Sequence, residues 1–185
     1  MKKLNVSIVL YKHTFEEVRP LIETIKKSVI VSTIYIIDNS PSPINGFNEL
    51  DVTYKHSSTN LGYGKAHNIA LRESIAQQIP YHLVLNPDID FEPFILTQIL
   101  QFMDKNTEVG HLMPKVFYPN GEMQYLCKLI PTPFDLFIRR FLPISWAKWR
   151  VEKFEMRKTG YNKIMDVPYL SGSFMFLRTK ALEEV

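Results

Sequence analysis

Two aspartates separated by a single residue are the clearest candidates for metal chemistry in this sequence. Asp88 and Asp90 follow directly after an apolar run at residues 81–85. Carboxylates two positions apart at the end of a strand can face one cation, and Mg²⁺ and Mn²⁺ prefer oxygen ligands. The spacing therefore predicts a divalent metal site at Asp88 and Asp90. The alternative is a solvated acidic turn, or a helix cap made by Asp90.

Asp38 is another carboxylate at the end of an apolar run, which covers residues 33–37. In that position it can accept hydrogen bonds from a nucleotide base or from ribose hydroxyls. Asn39, Ser40 and Pro41 follow it, and this composition favours an Asx-turn, in which the carboxylate binds the chain's own backbone. Both interpretations stay open on the sequence alone.

A glycine-containing loop at residues 60–65 precedes a predicted helix at residues 67–77. Glycines before a helix allow backbone N–H groups to approach a phosphate. The GxG spacing of Gly62 and Gly64 lacks the third glycine of a dinucleotide fingerprint, and no GK[ST] triplet indicates a P-loop. The loop therefore predicts a contact with a phosphate group. The alternative is a plain glycine turn with His67 and Asn68 on the helix surface.

Strand and helix patterns alternate ahead of and between these motifs. Strands are predicted at residues 5–11, 33–37, 52–55 and 81–85, and helices after Thr14, at residues 67–77 and from Pro93. Thr14 and Glu17 form a capping-box pattern before an apolar stripe made by Val18, Leu21, Ile22 and Ile25. This order predicts an α/β fold with a mostly parallel central sheet flanked by helices, and ligands bind such sheets beyond the carboxyl ends of their strands.

The pattern breaks in a basic and aromatic segment at residues 126–165. Residues 127–163 contain nine cations and three acids, so they carry +6, while the remainder of the chain, whose total is +3, carries −3. Aromatic and cationic residues interleave at 134–154, which predicts a peripheral contact with an anionic membrane. The alternatives are a helix pair that covers the sheet or a homodimer interface; nucleic-acid binding is not expected, because no such module accompanies the segment. Strand character returns at residues 166–177.

The composition is that of an ordinary globular protein of 185 residues, which predicts a single domain. Cys127 is the one cysteine, so an intrachain disulfide is impossible and a cytoplasmic location is expected. No run approaches the roughly 18 to 20 apolar residues that cross a bilayer.

Five segments of the chain stand in the order found in family 2 glycosyltransferases. They are VSIVLY, IIDNS, NLGYGKAHNIAL, LNPDID and YLSGSFMFLRTKALEEV. The chain resembles the rhamnosyltransferase-like branch of that family over nearly its whole length. The resemblance implies a GT-A (Rossmann-like) nucleotide-diphospho-sugar transferase fold over residues 1–185. Residues 1–125 would form the nucleotide-sugar-binding half, 126–165 an insertion, and 166–185 the start of the acceptor-side half.

The resemblance also implies roles for individual residues. The metal ligands would be Asp88 and Asp90. The donor would be contacted by Tyr11, Asp38, Asn60, Gly62, Gly64, His67, Asn68 and Asp88. The acceptor side would be formed by Ser171, Gly172 and Ser173, for which a small-residue strand turn is the alternative.

The implied reaction transfers a sugar, with rhamnose as the first candidate, from a dTDP- or UDP-linked donor with inversion. The acceptor would be a cell-surface polysaccharide or a lipid-linked glycan. A divalent metal, Mg²⁺ or Mn²⁺, stabilises the departing diphosphate, and a general base activates the acceptor. In the family that base follows the helix that begins here at residue 179, so we expect it beyond Val185 and expect a truncated chain that turns over poorly. The alternative is a nucleotide-sugar-binding protein without turnover.

Overall fold

The computed structural model describes residues 3–132 and 144–184. The chain divides into two compact units, of which the first combines Met1–Leu112 with Gly172–Val185 and the second is Met113–Ser171. The predicted insertion, residues 126–165, falls within the second unit, which begins earlier and ends later than the composition suggested. Within the described residues, no helix is both long and apolar enough to cross a bilayer.

Ten strands are found in the described part of the chain. They are β1 Leu4–Leu10, β2 Val31–Asp38, β3 Thr53–His56, β4 Tyr81–Leu85, β5 His111–Leu112, β6 Val116–Phe117, β7 Met123–Gln124, β8 Cys127–Lys128, β9 Tyr169–Leu170 and β10 Phe174–Arg178. The central sheet has the order β3-β2-β1-β4-β10-β5. Strands β3, β2, β1 and β4 are parallel, whereas β10 is antiparallel to β4 and β5. The mostly parallel sheet predicted from the alternating pattern is confirmed.

The helices are α1 Phe15–Lys26, α2 Tyr63–Ala76, α3 Phe94–Lys105, α4 Ile144–Phe154 and α5 Thr179–Leu182. The predicted capping box of α1 is confirmed: the Thr14 hydroxyl accepts from Glu17 N at 3.4 Å, and the Glu17 carboxylate accepts from Thr14 N at 2.8 Å. Helix α2 begins earlier than predicted, because Gly62, at φ +76°, turns the chain straight into the helix as its N-cap. Gly64 therefore lies in the first turn of α2 and not in a loop.

The two faces of the sheet differ in chemistry. On one face, alternate β1 residues such as Val6 and Ile8 join the large apolar core, together with the buried sides of α1 and α3. The opposite face, beneath α2, is made of a small apolar cluster and a polar layer that includes Asn5 and Ser7, both fully buried. This polar layer requires internal hydrogen-bond partners, because a buried polar group without one is costly.

The second unit contains short antiparallel pairs, β6 with β7 and β8 with β9, together with α4. Gly121, at φ +83°, lies in the turn that joins β6 to β7. Tyr161 is an internal anchor: its hydroxyl accepts from Cys127 N at 2.9 Å and donates to the carbonyls of Cys127 and Glu155 at 3.0 and 2.8 Å. Strand β8 is thereby tied to the chain just beyond α4.

Candidate functional site

Three parallel strands bring their polar carboxyl ends to one edge of the central sheet. The register pairs Leu10 of β1 with Asp38 of β2, and Ile8 of β1 with Leu85 of β4. The residues that follow these strands therefore share an edge, as expected for parallel neighbours. Tyr11 is half-exposed there, and Asp88 and Asp90 are exposed after β4.

Asp88 and Asp90 are exposed, so both carboxylates are accessible to a metal ion from solvent. Between them, Ile89 is half-buried and packs against the main core, so the chain fixes the two carboxylates on its solvent side. The Asn86 N–H donates to the carbonyl of Ser173 at 2.9 Å, which holds the start of this turn against the chain before β10. The predicted pair is thus presented from an anchored backbone.

Two carboxylate ligands suit a Mg²⁺ or Mn²⁺ ion that is shared with a bound phosphate, and they are too few to hold a metal ion by themselves. Among residues 3–132 and 144–184, no group of three or more His, Cys, Asp or Glu side chains is arranged to hold a metal ion. The chain would therefore supply the carboxylates of Asp88 and Asp90, while phosphate oxygens and water complete the coordination, as is common for Mg²⁺.

Asp38 is buried and fully engaged by its own chain. Its carboxylate accepts from Ser40 N at 2.8 Å, from Ile44 N at 3.1 Å and from the Tyr54 hydroxyl at 2.6 Å. Burial pushes the pKa of Asp38 upward, but these hydrogen bonds outweigh it and leave the pKa below its usual value. The bond to Ser40 is the Asx-turn that the sequence left as the alternative. The contact of Asp38 with a nucleotide base stays a prediction.

The start of α2 offers backbone donors beside open space. The Asn60 side chain accepts from Gly62 N at 2.8 Å, and no side chain caps the helix N-terminus. A Cβ built on Gly62 or Gly64 would meet nothing within 4 Å. Unpaired N–H groups in the first turn of a helix favour anions, so this end suits a phosphate chemically. Asn68 is exposed on the same helix.

His67 differs from the neighbouring motif residues because it is buried, with 2% of its surface exposed. The alternative that placed it on the helix surface is therefore wrong. Its Nδ1 is hydrogen-bonded to Ser7 Oγ at 2.7 Å, while its Nε2 has no hydrogen-bond partner among the described residues. Burial lowers the pKa of His67 to about 4, so the ring is neutral at physiological pH.

His67 is the last member of a hydrogen-bonded chain of buried polar side chains, which the sequence motifs did not reveal. From Ser7 Oγ the chain passes to His82 Nε2 at 2.8 Å, from His82 Nδ1 to Ser74 Oγ at 2.7 Å, and Ser74 Oγ accepts from Asn5 Nδ2 at 2.9 Å. The available signal was polar residues that interrupt the apolar runs of β1 and β4. Spacing along the chain cannot show that Ser7 and His82 touch.

Tyr63 is another residue that the motifs did not single out. Its hydroxyl donates to the carbonyl of Gly172 at 2.5 Å, and its ring remains 41% exposed. Burial raises the pKa of Tyr63 to about 12, and the negative charge of Asp88 adds to the rise. Tyr63 thus joins the start of α2 to the segment before β10, within electrostatic reach of Asp88.

The structure divides the three predicted acceptor-side residues between the two units. Gly172 and Ser173 belong to the first unit, where their carbonyls accept from Tyr63 and Asn86. Ser171 belongs to the second unit, where its N–H donates to Leu126 O at 3.2 Å. The role of these residues toward an acceptor stays a prediction.

Solved structures with a similar fold include a mannosyltransferase and S. aureus TarS. The mannosyltransferase PcManGT from Pyrobaculum calidifontis, in complex with GDP-Man and Mn²⁺, superposes with a TM-score of 0.58 at 13% identity, over 98% of this chain and 46% of its own. Residues 1–349 of S. aureus TarS give a TM-score of 0.59 at 16% identity, over 100% of this chain and 49% of theirs. The same protein with UDP-GlcNAc gives 0.51 at 18% identity, over 71% and 37%.

No family profile matches the sequence, and no curated protein sequence is significantly similar to it. The chain spans about half the length of the two solved chains that it matches over nearly all of its own length. At these identities the likeness establishes the fold. The chain has the predicted α/β GT-A fold of nucleotide-diphospho-sugar transferases, with a mostly parallel central sheet flanked by helices.

Proposed function

We propose that this chain is the nucleotide-sugar-binding part of a metal-assisted glycosyltransferase. The observation that carries the proposal is the exposed pair Asp88 and Asp90 at the carboxyl end of a central strand. Solved proteins of the same fold hold GDP-Man with Mn²⁺ or UDP-GlcNAc. The pair has the chemistry to hold a divalent ion against the diphosphate of such a donor.

Each part of this edge has a task in the proposed reaction. Asp88 and Asp90 hold the metal, which as a Lewis acid stabilises the charge on the departing nucleoside diphosphate. The uncapped N–H groups at the start of α2 bind phosphate oxygens, and the space at Gly62 and Gly64 lets the donor approach. Tyr11, Asn60 and Asn68 line the donor from exposed positions.

The finer identity of the enzyme is proposed from the order of its motifs. We place it in the rhamnosyltransferase-like branch of family 2, with a dTDP- or UDP-linked donor and inversion at the transferred sugar. Rhamnose is the first candidate for that sugar. The proposed acceptor is a cell-surface polysaccharide or a lipid-linked glycan, and its attacking hydroxyl requires a general base within hydrogen-bond reach.

Calorimetric titration tests the donor site directly. We expect one of UDP, dTDP and GDP to bind in the presence of Mn²⁺ and to bind much more weakly without it. Asp90→Ala should abolish the metal-dependent part of the affinity. Asp51→Ala is the matched control, because Asp51 is an exposed aspartate just before the amino end of strand β3, at the opposite end of the parallel strands, and this variant should bind like wild type.

The result also separates an enzyme from a binder. Metal-independent binding that survives Asp90→Ala would contradict the proposed metal site, and no binding of any nucleotide diphosphate would contradict the donor site itself. Sugar transfer, followed by release of nucleoside diphosphate in the presence of acceptor, would identify an enzyme. Donor binding without transfer would match the alternative of a nucleotide-sugar-binding protein.

We further propose that the second unit contacts an anionic membrane surface. The predicted contact covers residues 134–154, of which 134–143 lie outside the described residues. Within this range Trp149 is 60% exposed, and Ile130, which precedes the range, is 71% exposed; both line a groove of about 230 Å³ with Lys153. Exposed aromatic and aliphatic side chains beside cations suit the interface of an anionic bilayer.

Vesicle flotation tests the membrane contact. We expect the protein to float with vesicles that contain phosphatidylglycerol, to stay behind with pure phosphatidylcholine, and to be released as salt screens the charges. Trp149→Ser combined with Ile130→Ser should abolish flotation, whereas Phe117→Ser, which removes an exposed apolar residue of the β6–β7 hairpin, should not. Equal flotation of all three proteins would refute this surface. A cytoplasmic location and a homodimer stay predictions.

A further inference from the structure

We propose that Tyr63 is a positioning residue of this site, because its hydroxyl fixes the backbone of Gly172 near the turn that carries Asp88. The ring of Tyr63 is in turn supported by His67, which ends a buried series of hydrogen bonds. The inference rests on the proposed function, because it assigns Tyr63 a task in donor binding at the same edge of the sheet. It is carried by three connected contacts, which begin at the exposed edge and end in the core.

The first contact is the hydrogen bond from the Tyr63 hydroxyl to the carbonyl of Gly172, at 2.5 Å. It joins the first residue of α2 to a segment 109 residues further along the chain. The next carbonyl, that of Ser173, is held by the N–H of Asn86, two residues before Asp88. Two consecutive carbonyls are therefore held by two different elements, the start of α2 and the turn that leads to the aspartate pair.

The second contact supports the ring of Tyr63. His67 lies one turn further along α2, and the two ring centroids are 4.4 Å apart with an interplanar angle of 65°. Residues four apart share one face of a helix, so this edge-to-face contact follows from the backbone. Because the His67 ring is itself buried and bonded to Ser7, the tyrosine ring rests on a fixed surface.

The third contact is the chain of hydrogen bonds behind His67. A neutral imidazole has one donor and one acceptor nitrogen, so the direction of each bond dictates the next. When Ser74 donates to Ala70 O, which lies 3.1 Å away, His82 Nδ1 donates to Ser74 and His82 Nε2 accepts from Ser7. His67 Nδ1 must then donate to Ser7. The chain thereby sets both the orientation and the tautomer of His67.

The place of Tyr63 argues for a task at the site in addition to packing. Tyr63 is 41% exposed, whereas the hydrogen-bonded side chains behind it are buried. Its hydroxyl also bonds the half-buried backbone of Gly172 at this edge, which a side chain that only filled the core would not do.

The test combines a local spectroscopic signal with donor binding. In Tyr63→Phe, which keeps the ring, we expect the carbonyl carbon of Gly172 and the amide nitrogen of Ser173 to shift in the NMR spectrum, and the affinity for nucleotide diphosphate with Mn²⁺ to fall about five- to tenfold. The melting temperature should stay near that of wild type. Tyr118→Phe removes the same atom from an exposed tyrosine of the second unit and should change neither signal.

Ser7→Ala tests the buried chain, because it removes the partner of His67 without touching Tyr63. We expect the same two NMR signals to move in the direction seen in Tyr63→Phe, together with the imidazole nitrogens of His67. Unchanged Gly172 signals in Tyr63→Phe would overturn the inference, as would shifted signals with unaltered donor affinity. If the wild-type chain binds no nucleotide diphosphate, the proposed function fails, whereas the Gly172 signals still decide whether Tyr63 holds that backbone.

Discussion

At the scale of single residues, the two buried histidines show how the polar layer beneath α2 is stabilised. Burial lowers the pKa of His82 to about 3 and that of His67 to about 4, and the nearby His67 ring contributes to the shift at His82. Both rings are therefore neutral donors and acceptors in the native state. Each link of the chain satisfies a group that would otherwise be buried without a partner, which typically costs about 1–3 kcal/mol.

These histidines predict how stability depends on pH. The native pKa values lie below the unfolded value near 6.5, so the unfolded chain binds more protons as the pH falls. We expect the free energy of unfolding to be level above about pH 6.5 and to fall between pH 6.5 and 5 by roughly 1.4 kcal/mol per pH unit for each buried ring. His82→Asn should reduce this slope by the contribution of one histidine, roughly 1.4 kcal/mol per pH unit. Urea denaturation between pH 5 and 8 measures it, and an unchanged slope would contradict the burial of a neutral His82.

Sequence reasoning found the exposed residues of the site more readily than its internal supports. Asp88 and Asp90 could be selected because their spacing after a strand has a direct chemical meaning, and both are exposed as a metal site requires. Tyr63 could not, since its partner Gly172 is 109 positions away and no periodicity records that contact. Asp38 could be selected but not interpreted, because a single carboxylate at the end of a strand can bind a ligand or form an Asx-turn equally well.

At the scale of elements, α1 shows how a local signal fixes a boundary. Thr14 and Glu17 exchange hydrogen bonds between side chain and backbone, so the helix begins at the residue that the sequence indicates. Helix α2 lacks such a cap, and its start was predicted too late. Its first turn depends on the positive φ of Gly62, which a sequence permits but does not specify. Predicted boundaries are therefore most accurate where a capping side chain defines them.

Removing the cap of α1 should destabilise the protein measurably. We expect Thr14→Ala to lower the free energy of unfolding by about 1 kcal/mol, because Glu17 N loses its acceptor at the helix start. Glu17→Gln keeps a side chain that can accept from Thr14 N, so it should cost less. Urea denaturation followed by far-ultraviolet circular dichroism measures both. A loss in Glu17→Gln as large as that in Thr14→Ala would contradict this ranking and show that the charge of Glu17 stabilises this end as much as the Thr14 hydroxyl does.

At the scale of the whole molecule, the first unit is built from two separate parts of the chain. Strand β10 returns after the second unit, pairs with β4 over five residues, and places Phe174 and Phe176 in the main core. Arg178, the last residue of β10, donates to the carbonyls of Met103 and Asn106 at 2.8 and 3.0 Å. The segment that carries the predicted acceptor-side residues Gly172 and Ser173 therefore leads into the strand that completes the sheet beside the proposed donor site.

The contribution of β10 can be measured through Phe176, which is completely buried against Tyr81 and the core. Phe176→Ala should lower the free energy of unfolding by about 3–5 kcal/mol, a large part of the roughly 5–15 kcal/mol that a domain possesses. Phe117→Ala, in an exposed position of the second unit, should change it by less than about 0.5 kcal/mol. Both tryptophans belong to the second unit, so circular dichroism is the appropriate probe of the sheet. A loss below about 1 kcal/mol in Phe176→Ala would mean that the packing of β10 contributes little to stability. The edge of the sheet that carries Asp88 and Asp90 would then have to be stable without it.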